Sequence, residues 1–254
     1  ENGVVAGSRT ESDPYIIENW DINASSANGI TIEYVSYYTD AYFIIKDCII
    51  ANSTSEGISL WWSSNGKIID CSISNNPTGI YLLQSSGNEI TNCTFSNNSY
   101  GINLADPAMY NVITNCIFSN NLYGIYLHYT CSANVIHHNN FINNTCQAYD
   151  DTMFPNTWDD GTQGNYWCDY TGNDTNGDGI GDTPYNIPGG TLYGGPCKDR
   201  YPFMNPIEHV SPTVSLTLPS DGDVDVSVNI SIVIVFSEPI NKLSVPGNIA
   251  ISPG

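Results

Sequence analysis

The chain has 254 residues, with 26 acidic side chains against six basic ones and a formal net charge of −20. Such a charge excludes a binder of nucleic acid or of anionic membranes and favours the collection of cations. No apolar run is long enough to cross a bilayer, and the length suits one large domain plus part of a second.

The start, Glu1-Asn-Gly-Val, reads as a mature or trimmed N-terminus. Pro14 to Asp40 reads as an irregular first coil, with Asn28-Gly-Ile-Thr-Ile32 as its glycine strand. A unit of about 23 residues then recurs between Ala41 and Asp159. It is clearest in Ile68-Ile-Asp-Cys-Ser-Ile-Ser-Asn-Asn76, Ile90-Thr-Asn-Cys-Thr-Phe-Ser-Asn-Asn98 and Ile113-Thr-Asn-Cys-Ile-Phe-Ser-Asn-Asn121. Each copy leads to a glycine segment: Gly79-Ile-Tyr-Leu82, Gly101-Ile-Asn-Leu104 and Gly124-Ile-Tyr-Leu127. An earlier copy contains Cys48 and Gly57-Ile-Ser-Leu60, and a later one starts at Val135.

The apolar runs span three to five residues and alternate, which is strand period and not helix period. Asn-Asn and Gly between them suit corners that require positive φ. The fold class this predicts is all-β: a right-handed parallel β-helix of about 23 residues per coil, followed by an incomplete Ig-like β-sandwich segment. Stacked coils place like residues about 4.8 Å apart. The expected ladders are Ile73/Phe95/Phe118/Phe141, Ile58/Ile80/Ile102/Ile125 and Leu60/Leu82/Leu104/Leu127. Two asparagine ladders are expected at the corners, Asn75/Asn97/Asn120/Asn143 and Asn76/Asn98/Asn121/Asn144. Cys48, Cys71, Cys93 and Cys116 make an inward thiol ladder, because parallel Cβ vectors disfavour bridging neighbouring rungs. Cys131, Cys146, Cys168 and Cys197 lie in corners and excursions and are the disulfide candidates, as Cys131–Cys146 and Cys168–Cys197 or between molecules.

The β-helix is expected over residues 1–156, a Gly/Asp-rich cap over 157–210 and a partial Ig-like sandwich over 211–254. The cap carries Asp174-Thr-Asn-Gly-Asp-Gly-Ile-Gly-Asp182. Its oxygen donors at positions 1, 3, 5 and 9, with glycine at 6, match the first part of a calcium loop. Asp174, Asn176, Asp178 and Asp182 would bind by side chain and Ile180 by its carbonyl. Tyr185 occupies position 12, where a bidentate glutamate is usual, so Asp169, Asp199 or water is expected to complete the shell. Beyond Ser211, strands are expected at Val214–Leu218, Ile230–Phe236 and Ile249–Ile251. They are too few for a closed sandwich. Either the chain continues or a neighbouring molecule supplies strands by β-augmentation.

Seven Asn-x-Ser/Thr sequons, at Asn23, Asn52, Asn92, Asn97, Asn143, Asn173 and Asn229, are glycosylation candidates and favour an exported protein. No catalytic constellation stands out. A lyase needs cationic groups, and the chain has only Arg9, Lys46, Lys67, Lys198, Arg200 and Lys242. Asp150, Asp151, Asp159 and Asp160 would be the glycosidase carboxylates, but acidic pairs at glycine-rich turns are commonly turn formers. Tyr81, Tyr100, Tyr123 and Tyr126, with Trp61 and Trp62, offer an aromatic surface for sugars or for packing between subunits. His128, His137 and His138 sit on adjacent coils, but successive residues of a strand point to opposite sides.

The Ile-x-x-Asn-x-Phe-x-Asn-Asn…Gly-Ile-Tyr-Leu repeats resemble the right-handed β-helix repeats of NosD-like proteins and of archaeal surface proteins. Asn165 to Tyr185, Asp199-Arg-Tyr-Pro-Phe-Met204 and Pro14-Tyr-Ile-Ile-Glu-Asn-Trp20 are similar to terminal motifs of the archaeal group. Phe236-Ser-Glu-Pro239 looks like part of a bacterial-Ig-like adhesion module. The family usually has Asn where this chain has Cys48, Cys71, Cys93 and Cys116, and Ser at Cys168. The resemblance implies copper-site maturation for the NosD side. The acidic rod, the calcium loop, the sequons, the incomplete sandwich and the lack of a catalytic constellation point to an extracellular S-layer, sheath or filament subunit, archaeal by the resemblance, that assembles as a homo-polymer, carries glycans and is stabilised by calcium. The alternative is a carbohydrate-binding or carbohydrate-active β-helix protein.

Overall fold

The computed structural model describes residues 3–35, 41–190 and 197–208, and the backbone of two strands, Val214–Leu218 and Val233–Phe236. The chain divides into two compact units, Glu1–Ile207 and Glu208–Gly254.

The first unit is a parallel β-solenoid: an irregular first coil, five regular coils of about 23 residues, and a cap. Each coil contributes one strand to each of three sheets. The first sheet has six strands: Tyr15–Glu18, Phe43–Lys46, Gly66–Ile69, Glu89–Thr91, Val112–Thr114 and Val135–His137. The second begins with Asp21–Asn23 and Ile49–Ala51 and ends with Asn140–Ile142 and Tyr166–Trp167, seven strands in all. The third has six, from Ile30–Glu33 through Tyr100–Ala105 to Cys146–Asp150.

Register is one residue per coil, and the expected ladders are present. Ile58, Ile80, Ile102 and Ile125 pair in turn, as do Leu60, Leu82, Leu104 and Leu127. Ile50, Ile73, Phe95, Phe118, Phe141 and Trp167 form the matching file of the second sheet. All of them are buried. The rings stack nearly parallel, with centroids 4.8 Å apart for Phe95–Phe118 and 5.0 Å for Phe118–Phe141. The file continues through Trp167 at 4.3 Å to Tyr185 at 4.2 Å, which carries the solenoid core into the cap.

The corners divide their labour differently from the sequence reading. Positive φ falls on Asp47, Asp70, Asn92, Asn115 and His138 at the first corner, and on Asn52, Asn75, Asn97, Asn120 and Asn143 at the second. The glycines Gly57, Gly79, Gly101 and Gly124 do not have positive φ. They are glycines because of close approach. A Cβ on Gly101 would meet the Gly124 carbonyl oxygen at 2.4 Å and Phe118 Cδ1 at 2.8 Å. The requirement ends where stacking ends, and the next rung is Gln147, whose carbonyl would face a Cβ on Gly124.

Inside the second corner, Asn76, Asn98, Asn121 and Asn144 stack as expected, each side-chain amide donating to the next Oδ1 at 2.8–3.1 Å. A further buried file, Asn88, Asn111, Asn134 and Asn156, does the same at the entry to the first sheet, at 3.0–3.2 Å. The thiol ladder imitates these amides. Cys71, Cys93 and Cys116 each donate to the carbonyl two residues back at 3.2–3.3 Å, and Asn139 and Asn165 take over the file beyond them.

The cap is continuous with this core, since Trp158, Trp167, Ile187 and Cys197 belong to the same buried cluster. Tyr185–Asn186 and Lys198–Asp199 pair antiparallel. Phe203 bridges both Tyr166 and Ile180. In the second unit Val214–Leu218 pairs antiparallel with Val233–Phe236, with a register irregularity between Val214 and Leu216. The strand expected at Ile249–Ile251 lies outside the described residues.

Candidate functional site

The chemistry-bearing side chains gather in the cap and in the last coil beneath it. The loop Asp174–Asp182 is held by Asx turns of its own acids. Asp174 Oδ1 accepts from the N–H groups of Gly177 (2.7 Å) and Asp178 (3.2 Å), and its Oδ2 accepts from Gly179 (2.9 Å). Asn176 Oδ1 accepts from Asp178 N–H, and Asp178 Oδ1 from Ile180 N–H. Gly177 and Gly179 supply the left-handed turns. Asp182 Oδ2 accepts from the N–H and the hydroxyl of Thr175, and these bonds hold its carboxyl below the usual range. The loop is anchored by Gly181 N–H donating to Pro202 O and Met204 N–H to Gly179 O. The carboxylates of Asp174, Asp178 and Asp182 do not bring three ligand atoms within 4.8 Å of one another.

Asp199 is not at this loop. It is buried in the cap, where Oδ2 accepts from Asn165 N–H (2.7 Å) and Trp167 Nε1 (2.8 Å), and Oδ1 accepts from Tyr201 N–H (3.0 Å). Burial pushes its carboxyl up to about 6. Asp169 accepts from the Tyr185 hydroxyl at 3.2 Å.

Three of the four carboxylates considered for glycosidase chemistry, Asp150, Asp159 and Asp160, are engaged in structure. Buried Asp150 accepts from Thr152 Oγ1 (2.6 Å), Asn156 Nδ2 (3.2 Å) and Trp158 Nε1 (2.9 Å). Asp159 is buried too. Its desolvation is outweighed by a forked pairing with Arg200, Nε to Oδ2 at 2.9 Å, which holds its carboxyl low. Asp160 Oδ1 closes a turn by accepting from Thr162 N–H, Thr162 Oγ1 and Gln163 N–H.

His137 and His138 do not point apart. His138 has φ +57, which breaks strand alternation and swings its ring to the side of His137. The two Nδ1 atoms lie 2.5 Å apart, and His138 Nε2 meets Gln163 Oε1 at 2.8 Å. Burial and the neighbouring His138 lower the pKa of His137. With Asp160 they form a group whose ligand atoms all lie within 4.8 Å of one another. His128 does not join them and packs on Tyr126, 4.7 Å between ring centroids. Asp160 and Gln163 were not associated with this pair in the sequence, since a loop outside the repeat brings them there.

All eight cysteines are free thiols, so neither expected disulfide is present. Cys131 is buried and accepts from Ala108 N–H, and Cys146 donates to Ala148 O at the margin of the third sheet. Cys168 accepts from Asn143 N–H and Gln147 Nε2. Cys197 is buried in the cap core beside Asp150.

Six of the sequon asparagines, Asn23, Asn52, Asn92, Asn97, Asn143 and Asn173, are exposed, and Asn229 lies outside the described residues. Asn52, Asn97 and Asn143 occupy the second corner on alternate coils. On the outer face of the third sheet, Tyr100–Tyr123 and Tyr126–Tyr149 stack at 5.2 and 5.1 Å. No helix of the described residues is long and apolar enough to cross a membrane.

No curated protein matches the chain. Residues 208–254 match the family model of the bacterial Ig-like domain. Residues 2–172, the solenoid just described, match the model of the periplasmic copper-binding protein NosD, and the chain belongs to that family.

Proposed function

We propose that the chain is an extracytoplasmic structural protein, a rod-forming subunit of a cell-surface layer, sheath or filament. Its terminal motifs point to an archaeal envelope. The observation that carries this reading is the continuity of the ladders. Aliphatic, aromatic and amide files run through successive coils into the cap, and the buried acids Asp150, Asp159 and Asp199 serve that cap. A surface of charge −20 is kept apart from anionic neighbours and drawn together by divalent cations.

Calcium is the cation proposed for the loop. Asp174, Asn176, Asp178 and Asp182 offer side-chain oxygens and Ile180 its carbonyl, and the Asx turns already hold the loop in a tight curve. Bound there, calcium would neutralise part of the acidic cap and stiffen the end of the rod. The exposed sequons fit a glycoprotein, with Asn52, Asn97 and Asn143 forming one row at two-coil spacing, about 9.6 Å.

Sedimentation and negative-stain microscopy of the full chain, with calcium and then with chelator, test this reading. Ordered polymers that dissolve in chelator are expected, with Asp178→Ala requiring more calcium to assemble. Monomers at every calcium concentration would overturn it. A second reading, carbohydrate binding, rests on the paired tyrosine stacks of the third sheet, whose faces suit sugar rings. Binding on a glycan array that Tyr123→Ala abolishes would favour it.

A further inference from the structure

His137 and His138 depart from the repeat that surrounds them. In register, His137 follows Thr114 of the preceding coil, and His138 takes the left-handed corner held there by Asn115. Histidine tolerates that left-handed corner as asparagine does, so the backbone alone does not call for the change. The substitution instead places two imidazoles side by side at the one coil over which the Asp160–Gln163 turn folds back.

We propose that His137 Nδ1, His138 Nδ1 and a carboxylate oxygen of Asp160 bind one divalent ion of the zinc class, water completing the shell. The atoms converge within 4.8 Å of one another. Two ring nitrogens 2.5 Å apart share a proton, and an ion that takes its place parts them to about 3.3 Å, as tetrahedral Zn–N bonds of about 2.0–2.1 Å require. Gln163 Oε1 accepts from His138 Nε2, which leaves the lone pair of a neutral His138 on Nδ1. A hydrogen bond from the far ring nitrogen is how metal-bound imidazoles are commonly oriented. On Asp160 the turn occupies Oδ1, and among the described residues Oδ2 has no donor. Two imidazoles and one carboxylate suit zinc, nickel or copper(II) and not calcium, which takes oxygen ligands. The site shares no residue with the Asp174–Asp182 loop, so it does not depend on the calcium assignment.

The test is calorimetric titration of the chelator-stripped, calcium-saturated full chain with Zn²⁺, with Co²⁺ absorption as a second probe. The variant His137→Thr/His138→Asn returns the coil to the Thr114-Asn115 pattern, and Asp160→Asn keeps the turn acceptor while removing the charge. One zinc per chain is expected, with a Co²⁺ spectrum lacking thiolate charge transfer. Affinity should fall by at least about tenfold in either variant, or about 1.4 kcal/mol. Without metal the His137→Thr/His138→Asn variant should melt with the parent and Asp160→Asn somewhat lower, because a neutral acceptor holds the turn less strongly, while the rise on adding zinc disappears in both. Absence of stoichiometric binding, undiminished binding in the double variant, or a thiolate signature would overturn the assignment.

Discussion

Asp199 shows how the surroundings of one residue decide its chemistry. Three N–H donors favour its ionised form, yet burial outweighs them and its pKa rises from 3.8 to about 6. Between these values the folded state holds a proton that the unfolded chain releases. The contribution of Asp199 to stability is therefore fully present below pH 3.8 and lost as pH rises through about 6. Asp159 and Asp182, whose carboxyls are held low, act the other way and lose their contribution only as pH falls below 3.8. Relative to an Asp199→Asn variant, calcium-free protein should accordingly gain stability from pH 7 to pH 5. In the parent alone, His128 and His137, whose pKa values burial lowers, act against the gain over the same range. Denaturant midpoints at the two values and the carboxyl ¹³C titration of Asp199 check this. An Asp199 midpoint near 4 would contradict it. None of this was legible in the sequence, where Asp199 was a free acid available to calcium. Its partners Asn165 and Trp167 lie more than 30 residues away and meet it only through the cap.

At the scale of elements, the repeat was readable because each coil returns the same side chain to the same rung. The ladders through Phe118, Ile125 and Leu127 follow from period alone. The file Asn88/Asn111/Asn134/Asn156 is hidden in the sequence because its flanking residues vary: Ser-Ser-Gly precedes Asn88 and Ala-Met-Tyr precedes Asn111. The glycine rungs answer a need for room for the next coil and not for positive φ, a distinction the sequence does not carry. Asn121 gives the sharpest test of a ladder. Its Oδ1 accepts from Asn98 N–H and Nδ2, while its own Nδ2 donates to Phe95 O and Asn144 Oδ1. Asn121→Ala leaves buried groups unmet on both sides and should cost about 3 kcal/mol. Urea unfolding with an unchanged m-value would measure it, and a loss below about 0.5 kcal/mol would mean that the amides are not coupled.

For the solenoid unit as a whole, the sealed interior governs the thiols. Burial pushes Cys131 up to about 11 and, with Asp150 adding to it, Cys197 up to about 12, while Cys93 is raised well above its ordinary value. Neutral, buried thiols are inert. A maleimide should therefore label only the half-buried Cys146 and Cys168 in native protein, and all eight after unfolding. Peptide mapping of the two labelled forms checks this, and rapid labelling of Cys71 or Cys93 in native protein would show that the coils open. The sequence by itself determined the coil, its period and what fills it, because those depend on neighbours one repeat away and the repeat is written in the chain. Only the tertiary structure decided the left-handed turn that joins His137 to His138, the return of Asp160 and Gln163 to that pair, and the burial of Asp199. These contacts depend on the path of loops that repeat nothing, so no period in the chain could announce them.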